Sequence, residues 1–187
     1  MAFSEDKAVG ALAEIIALEC GINPAKARQI RIAASLHDIG KIKLKHLVSK
    51  SEKLTASEFE EIKTHTTLGA AMLETMQGTL GEMARSIARW HHEHWDGSGY
   101  FGKYLCDLPF YVEIVGMADV FTALVCERSY KCSWPPEEAL TYIESRAGTQ
   151  FNPSLVEIFI PLARNNGKVS AIYFGRANFA RPNVNRG

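Results

Sequence analysis

Apolar residues follow the α-helical repeat through nearly the whole chain, which leaves little sequence for other secondary structure. In the first segment, Val9, Leu12, Ile15 and Ile16 recur at the spacing of one helix face. Glycine, proline and asparagine interrupt the pattern where helices would end or begin. Only residues 169–174 have the composition of a strand, and one strand does not form a sheet. The sequence therefore predicts an all-α fold of about seven helices.

Capping residues place the helix boundaries. Asn23 followed by Pro24 is a favoured helix start, and Thr55 with Glu58 has the pattern of a capping box. Three glycines within residues 96–102 predict a loop. We expect a single domain over residues 1–187, with a core of about 5–166 and a short irregular tail at 167–187. The predicted helices cover about 4–21, 23–40, 55–72, 81–92, 109–126, 135–148 and 152–165, with an irregular connector at 41–54.

The charge and cysteine content exclude several classes of protein. Basic and acidic residues both number 21, so the formal net charge is zero and binding to polymeric nucleic acid is not expected. The four cysteines form no CxxC pair, which argues against a zinc knuckle or a thioredoxin-like site. No apolar stretch approaches the length of a membrane span, and acidic residues near the start argue against a signal peptide. We therefore expect a cytoplasmic protein.

Six histidine and aspartate residues have the character of metal ligands. Asp119 lies within an otherwise apolar helix, where an unpaired carboxylate is costly. Each residue alone has an ordinary explanation, such as a buried salt bridge for Asp119 or a satisfied core position for His65. Together they suit iron, manganese, zinc or nickel, and a carboxylate can bridge two such ions. The set consists of His37, Asp38, His65, His91, His92 and Asp119.

The sequence around these residues closely resembles the HD-GYP family over about residues 5–160. The resemblance implies an all-helical domain that hydrolyses cyclic di-GMP to the linear dinucleotide or GMP, through a hydroxide that bridges two metal ions. It implies that the six residues are the ligands, with Asp38 as the bridging carboxylate. Iron is the first expectation, with manganese, nickel or zinc as alternatives. The matching stretches are HDIGK at 37–41, His65 with Gly69, HHEHWDGSGY at 91–100, DVF at 119–121, RSYK at 128–131 and GTQFNP at 148–153.

The resemblance also assigns residues to the substrate. Lys41 would hold a phosphate oxygen and act in catalysis with Asp38, although a lysine at a helix C-terminus is also favoured by the helix dipole. Arg128 and Lys131 would contact phosphate and guanine, or they form an ordinary solvated face. Tyr100 would shape the mouth of the site from its glycine-rich loop, which could equally be a plain connection between helices.

Three departures from the HD-GYP pattern bear on the site, whereas Ser129 and Asn152 depart from it peripherally. Phe101 replaces the proline of Gly-Tyr-Pro, which should change loop rigidity modestly. Glu5 replaces a histidine that many members carry near the start of the first helix, and Thr122 replaces a second aspartate. We therefore expect two metal ions rather than three. Glu5 is either an additional oxygen ligand or an ordinary acid in a first helical turn.

Two other functions stay open at this level. The domain could hydrolyse a different nucleotide, or it could bind cyclic di-GMP as a signalling module that has lost turnover. Candidate partners are a sensory or receiver domain, attached or separate, and a second copy of the chain in a homodimer.

Overall fold

The computed structural model of the protein describes residues 5–50, 52–126 and 133–173. Within these ranges the chain forms ten α-helices, eight of them with at least eight residues, and no β-strand, so the all-α prediction is confirmed. None of these helices combines the length and hydrophobicity needed to cross a membrane. The helices are α1 (Glu5–Glu19), α2 (Pro24–Ala34), α3 (Lys45–Val48), α4 (Ala56–Lys63), α5 (His65–Met72), α6 (Gly78–Trp90), α7 (Phe110–Val125), α8 (Pro136–Ser145), α9 (Pro153–Asn165) and α10 (Gly167–Tyr173), with 3₁₀ helices at Ile39–Leu44 and Leu105–Asp107.

Helix α1 is central to the packing. It contacts α2, α7, α9 and α10, and its side chains Val9, Leu12 and Ile16 are completely buried. Phe121 of α7 packs edge to face on Phe159 of α9, with ring centroids 5.2 Å apart. Burying one such side chain contributes roughly 1.5–3 kcal/mol. This core therefore fixes the helices from which the candidate site is built.

Helix α2 ends earlier than the sequence predicts. It stops at Ala34 rather than near residue 40, and His37 and Asp38 lie in the turn that follows. The backbone N–H groups of Leu36, His37 and Ile39 each donate to a carbonyl three residues earlier, so the chain tightens instead of continuing the α-helix. The side chains of His37 and Asp38 therefore leave the backbone from a turn rather than from a continuous α-helix.

The helix predicted over residues 55–72 is two helices, α4 and α5, which meet at Thr64. The hydroxyls of Thr64 and Thr66 donate to carbonyl oxygens three residues back, and Nδ1 of His65 bonds a carbonyl in the same way. Such local bonds compete with the regular backbone pattern of a helix. His65 therefore begins a new helix instead of lying in the middle of one. The predicted capping box of Thr55 and Glu58 is present at the start of α4.

The strand predicted at 169–174 is wrong, because residues 167–173 form helix α10. Asn166 starts this helix: its side chain accepts from the backbone of Lys168, and its carbonyl accepts from Val169 and Ser170. Val169 is buried in the core. The helical part therefore extends beyond the predicted core limit of residue 166. Phe174 and the rest of the predicted tail lie outside the described residues.

Candidate metal centre

Four parts of the chain bring the six predicted ligands together. The donor atoms of His65, His91 and His92 lie within 4.8 Å of one another, and so do those of His37, Asp38 and His91. His91 thus belongs to both groups. The residues come from the turn after α2 (His37, Asp38), the start of α5 (His65), the turn after α6 (His91, His92) and the interior of α7 (Asp119).

Gly40 allows the turn after α2 to approach α5 closely. A Cβ atom at this position would overlap the carbonyl oxygen of His65 and would lie 2.6 Å from the backbone nitrogen of Gly69. Both neighbours are backbone atoms, so they cannot move aside as a flexible side chain would. The absence of a side chain at residue 40 is therefore what permits Asp38 to lie beside His65.

Hydrogen bonds set the orientation of the buried imidazole rings. In His37, His65 and His91, Nδ1 faces a backbone carbonyl oxygen, at 2.8 Å, 2.7 Å and 2.9 Å respectively. Because Nδ1 donates there, Nε2 of a neutral ring carries a lone pair. His65 Nε2 and His91 Nε2 lie 3.4 Å apart. Two nitrogen ligands about 2.1 Å from one ion would have such a separation.

Asp38 lies between the two groups of donors. Its Oδ1 is 3.2 Å from His65 Nε2 and 3.9 Å from His91 Nε2, and this buried oxygen has no hydrogen-bond partner. Its Oδ2 is 3.4 Å from His37 Nε2 and also contacts the ammonium of Lys41. Asp119 Oδ1 is 3.5 Å from His37 Nε2. A buried carboxylate oxygen that faces imidazole lone pairs needs a cation, so the donor set fits divalent transition metals.

The pKa shifts are consistent with this donor set. Burial lowers the pKa of His65 and of His91, and it lowers the pKa of His92 to about 4, which keeps these three rings neutral. Burial would also lower the pKa of His37, but the adjacent carboxylates of Asp38 and Asp119 outweigh it and raise that pKa well above its usual value. Burial would raise the pKa of the Asp38 and Asp119 carboxyls, but the neighbouring His37 outweighs burial and holds both pKa values below the usual range.

Lys41 and Tyr100 both lie at the centre. Tyr100 packs on His92 with ring centroids 4.5 Å apart, and burial raises the pKa of its phenol to about 12. Lys41 follows Asp38 by three residues and bonds its carboxylate. Their roles toward a substrate stay predictions. Arg128 and Lys131, the predicted basic pair, lie outside the described residues.

Glu93 is a residue that the sequence reasoning missed. It directly follows His92, its side chain is buried, and it accepts two backbone hydrogen bonds from the glycine-rich loop. Oε1 accepts from the N–H of Phe101 at 2.9 Å, and Oε2 accepts from the N–H of Lys103 at 2.7 Å. Glu93 therefore ties the loop that carries Tyr100 to the segment that carries His92. An acidic residue next to a histidine pair was the only signal in the sequence.

Asp6, in the first turn of α1, lies within electrostatic range of the centre. Burial raises its pKa, and the charges of His37, Asp38 and Lys41 act on it as well. The neighbouring Glu5 also lies in the first turn of α1, and neither three-residue donor group in the described part of the chain includes it. Glu5 as an additional ligand stays a prediction.

Thr122 occupies the position three residues after Asp119 and takes part in a buried hydrogen-bond chain. Its hydroxyl donates to the carbonyl of Ala118 at 2.7 Å, so the hydroxyl of Tyr173, also at 2.7 Å, donates to Thr122. The same tyrosine packs on Phe121 with ring centroids 5.4 Å apart. Helix α10 is therefore docked beside α7, next to the segment that carries Asp119.

An all-helical domain with a buried histidine and aspartate centre is the arrangement of the HD domain, and residues 1–155 match the HD domain family. The chain belongs to this family, and the resemblance to its HD-GYP members is confirmed by the relatives that follow. Membership implies divalent metal binding, in agreement with the clustered donors.

Curated relatives match most of the chain. A cyclic di-GMP phosphodiesterase of Thermotoga maritima is 41% identical over 158 residues, which are 83% of this chain and 43% of that protein. The 3'3'-cGAMP-specific phosphodiesterase 2 of Vibrio cholerae is 34% identical over 166 residues, 84% of this chain and 32% of that protein. The chain thus spans less than half the length of these relatives.

A solved structure has the same fold. The HD domain of the L. monocytogenes phosphodiesterase PgpH, in complex with cyclic-di-AMP, superposes with a TM-score of 0.66 at 19% identity, covering 95% of this chain and 94% of that one. At this identity the likeness concerns the fold.

Proposed function

We propose that this chain is the catalytic domain of a metal-dependent phosphodiesterase that hydrolyses cyclic di-GMP to the linear dinucleotide and/or GMP. The observation that carries the proposal is the arrangement around Asp38. One of its oxygens is buried without a hydrogen-bond partner, beside two imidazole nitrogens that bear lone pairs. The names of the relatives support the choice of a cyclic dinucleotide as substrate.

The six clustered residues would hold two divalent ions, with Asp38 between them. Bound there, the ions would lower the pKa of water and neutralise charge on the phosphate. His65, His91 and His92 are neutral at pH 7 and both carboxylates are ionised, so these five residues can bind without losing a proton, whereas His37, whose pKa is raised, would release its proton on binding. Iron is our first choice of metal, with manganese, nickel or zinc as alternatives.

The remaining residues would bind and orient the substrate. The Lys41 ammonium would donate to a phosphate oxygen and oppose the charge that develops there. Burial raises the pKa of the Tyr100 phenol to about 12, so at pH 7 its protonated hydroxyl would donate a hydrogen bond to the substrate. Arg128 and Lys131 would orient the rest of the dinucleotide, so their loss should raise KM more than it lowers kcat.

Several broader features belong to the same proposal. We expect residues 1–187 to form one HD-GYP-type domain in the cytoplasm with two metal ions rather than three. The matched relatives are longer than this chain, and a sensory or receiver domain, attached or as a partner, stays a prediction. A homodimer stays a prediction.

A second candidate substrate is 3'3'-cGAMP, because a relative that is 34% identical carries that specificity in its name. The two cyclic dinucleotides differ in one base, so the phosphates and the metal centre do not distinguish them. Discrimination would have to come from residues that contact the bases.

The test is metal quantification on anaerobically purified protein, followed at once by turnover assays with cyclic di-GMP, 3'3'-cGAMP and linear nucleotides. We expect two ions per chain and hydrolysis of a cyclic dinucleotide in preference to the linear compounds. Tight binding of cyclic di-GMP without product in fully metallated protein would instead identify a signalling module. Preference for an ordinary nucleotide would assign the domain to another branch of HD phosphohydrolases.

A further inference from the structure

Phe101, which replaces the proline of the HD-GYP pattern, packs against the C-terminal end of α6. The guanidinium of Arg89 lies over its ring, with Cζ 4.5 Å from the ring centroid. The ring of Trp90 meets the ring of Phe101 edge to face, with centroids 5.6 Å apart. Both distances are typical of favourable cation–π and aromatic contacts. Phe101 is therefore held by two neighbouring side chains, although 41% of the residue is exposed.

Arg89 makes its side-chain contacts with aromatic rings. Its Cζ also lies 5.0 Å from the ring centroid of Trp90. Within the described part of the chain, its guanidinium makes no hydrogen bond or ion pair with another side chain. The helix dipole favours a cation in the last turn of α6, but it does not orient the guanidinium over a particular ring. The contact with Phe101 is therefore not shared with a carboxylate that would hold Arg89 elsewhere.

Phe101 directly follows Tyr100, and one short segment of the chain contacts both rings. The ring of Tyr100 packs on His92 with centroids 4.5 Å apart, whereas Phe101 contacts Trp90, two residues earlier. His92 is one of the clustered metal donors, so Tyr100 lies at the centre. A displacement of Phe101 would therefore move the adjacent Tyr100 relative to the centre.

The loop itself restrains Tyr100 only weakly. Gly97 and Gly102 adopt positive φ angles of 77° and 72°, and glycine leaves the backbone many alternative conformations. A proline at position 101 would remove some of these conformations by fixing φ, but it would have no N–H group. Here the N–H of Phe101 donates to Oε1 of Glu93 at 2.9 Å. Phenylalanine thus exchanges a covalent restraint for one hydrogen bond and two side-chain contacts.

We propose that Phe101 is a positioning residue for substrate binding, which acts through Tyr100 and replaces the restraint of the proline by its contacts with Arg89 and Trp90. The inference rests on the function proposed above and adds residues that determine how firmly the cyclic dinucleotide is held. Because the Tyr100 hydroxyl would donate to the substrate, a displaced ring loses a bond made in both the bound state and the transition state. KM should then rise more than kcat falls.

Kinetics with cyclic di-GMP test the two side-chain contacts. Arg89→Gln removes the cation, and we expect KM to rise about two- to fivefold, the factor that one exposed cation–π contact provides. Phe101→Leu keeps the backbone N–H and an apolar side chain but loses both contacts of the ring, so KM should rise about fivefold or more. Phe101→Tyr keeps the aromatic face and should restore the wild-type KM.

The controls make the same substitutions at exposed positions outside this cluster. Phe110→Leu changes an exposed aromatic residue at the start of α7, and Arg28→Gln changes an exposed arginine of α2. Both variants should keep the wild-type KM. A wild-type KM in both Phe101→Leu and Arg89→Gln overturns the inference, and so does a rise in the two controls that equals the rise in these variants.

Tyr100→Phe separates positioning from a general loss of structure. If Phe101 acts through the Tyr100 hydroxyl, Phe101→Leu should have little further effect once that hydroxyl is gone. The kcat/KM of the double variant should therefore be close to that of Tyr100→Phe alone. Losses that multiply in the double variant overturn the inference, because Phe101 would then act independently of Tyr100.

Hydrogen–deuterium exchange provides a readout that does not depend on turnover. Amides of residues 97–103 should exchange about two- to fivefold faster in Arg89→Gln than in wild type or Arg28→Gln, while exchange in α1 stays unchanged and shows that the variant is folded. Unchanged loop exchange in both Arg89→Gln and Phe101→Leu contradicts the inference. Faster loop exchange in these variants, with a wild-type protein that does not cleave cyclic di-GMP, supports the hold on the Tyr100 loop and contradicts the proposed function.

Discussion

Asp38 Oδ1 lies 3.2 Å from Nε2 of His65, and neither atom has a proton to offer the other. His65 uses its ring N–H for the carbonyl of Ile62, and the carboxylate of Asp38 is ionised because its pKa is held well below the usual range. Two buried acceptors face each other at a distance where a donor or a cation would be expected. This relationship makes Asp38 the most informative residue to change.

Replacing Asp38 by alanine should abolish both metal binding and turnover, because both groups of donors lose the carboxylate between them. Metal content measured on purified Asp38→Ala protein is expected to fall below about a tenth of the wild-type value. Asp107→Asn, a change at an exposed acid of the second 3₁₀ helix, is the control and should retain both properties. Full activity in Asp38→Ala would eliminate the proposed mechanism.

The metal-free protein should lose stability as the pH is lowered from 7 to 4. The pKa values of His65, His91 and His92 are lowered by burial, so below about pH 6.5 the unfolded chain binds more protons at these residues than the folded chain does. For His92, with a folded pKa of about 4, the loss is roughly 3 kcal/mol over this range. His37 acts in the opposite direction, since its raised pKa gives stability that is complete at low pH and disappears as the pH rises through that pKa.

Urea unfolding of EDTA-treated protein at several pH values measures this dependence. His92→Gln removes one of the three lowered histidines, so its free energy of unfolding should vary less steeply between pH 7 and 4. A wild-type protein whose stability rises on acidification would show that His37 outweighs the other three residues.

Gly40→Ala should destabilise the protein by at least about 3 kcal/mol, because the new methyl group meets backbone atoms of α5 on the side that carries His65. Gly167→Ala is a matched control, since a Cβ at the start of α10 has no neighbour within 4 Å. Urea unfolding of both variants provides the comparison. Equal stabilities would mean that the close approach of the turn after α2 to α5 is not needed for folding.

The sequence predicted the helical fold and the convergence of distant histidines and aspartates, because a carboxylate such as Asp119 within an apolar helix calls for a cation or an ion pair. It did not predict the burial of Glu93, which depends on a loop folding back over the chain. It also misassigned α10, since Val169, Ile172 and Tyr173 are residues that favour strands. There, burial of Val169 and the Tyr173 hydrogen bond outweigh the local preference.

Glu93→Gln should reduce activity without removing the metal ions. The glutamine keeps one oxygen for the loop but turns an NH₂ group toward the second N–H donor, so one of two charge-assisted bonds is lost and the other is weakened. We expect kcat/KM to fall about tenfold while metal content stays at the wild-type level. Glu82→Gln, on α6, is the control. If metal content and activity fell in parallel, Glu93 would support the ligands themselves rather than the loop of Tyr100.

The contact between Thr122 and Tyr173 should stabilise the docking of α10 by a measurable coupling energy. Tyr173→Phe removes the donor and Thr122→Val removes the acceptor, while both substitutions nearly preserve volume. A double-mutant cycle from urea unfolding is expected to give a coupling of about 0.5–1.5 kcal/mol. The comparison is a second cycle that combines Thr141→Val with Tyr173→Phe. Because the Thr141 hydroxyl, on α8, donates to the carbonyl of Glu137, the effects of these two substitutions on the free energy of unfolding should be additive. Additive effects for Thr122 and Tyr173 as well would mean that their hydrogen bond does not contribute to the docking of α10.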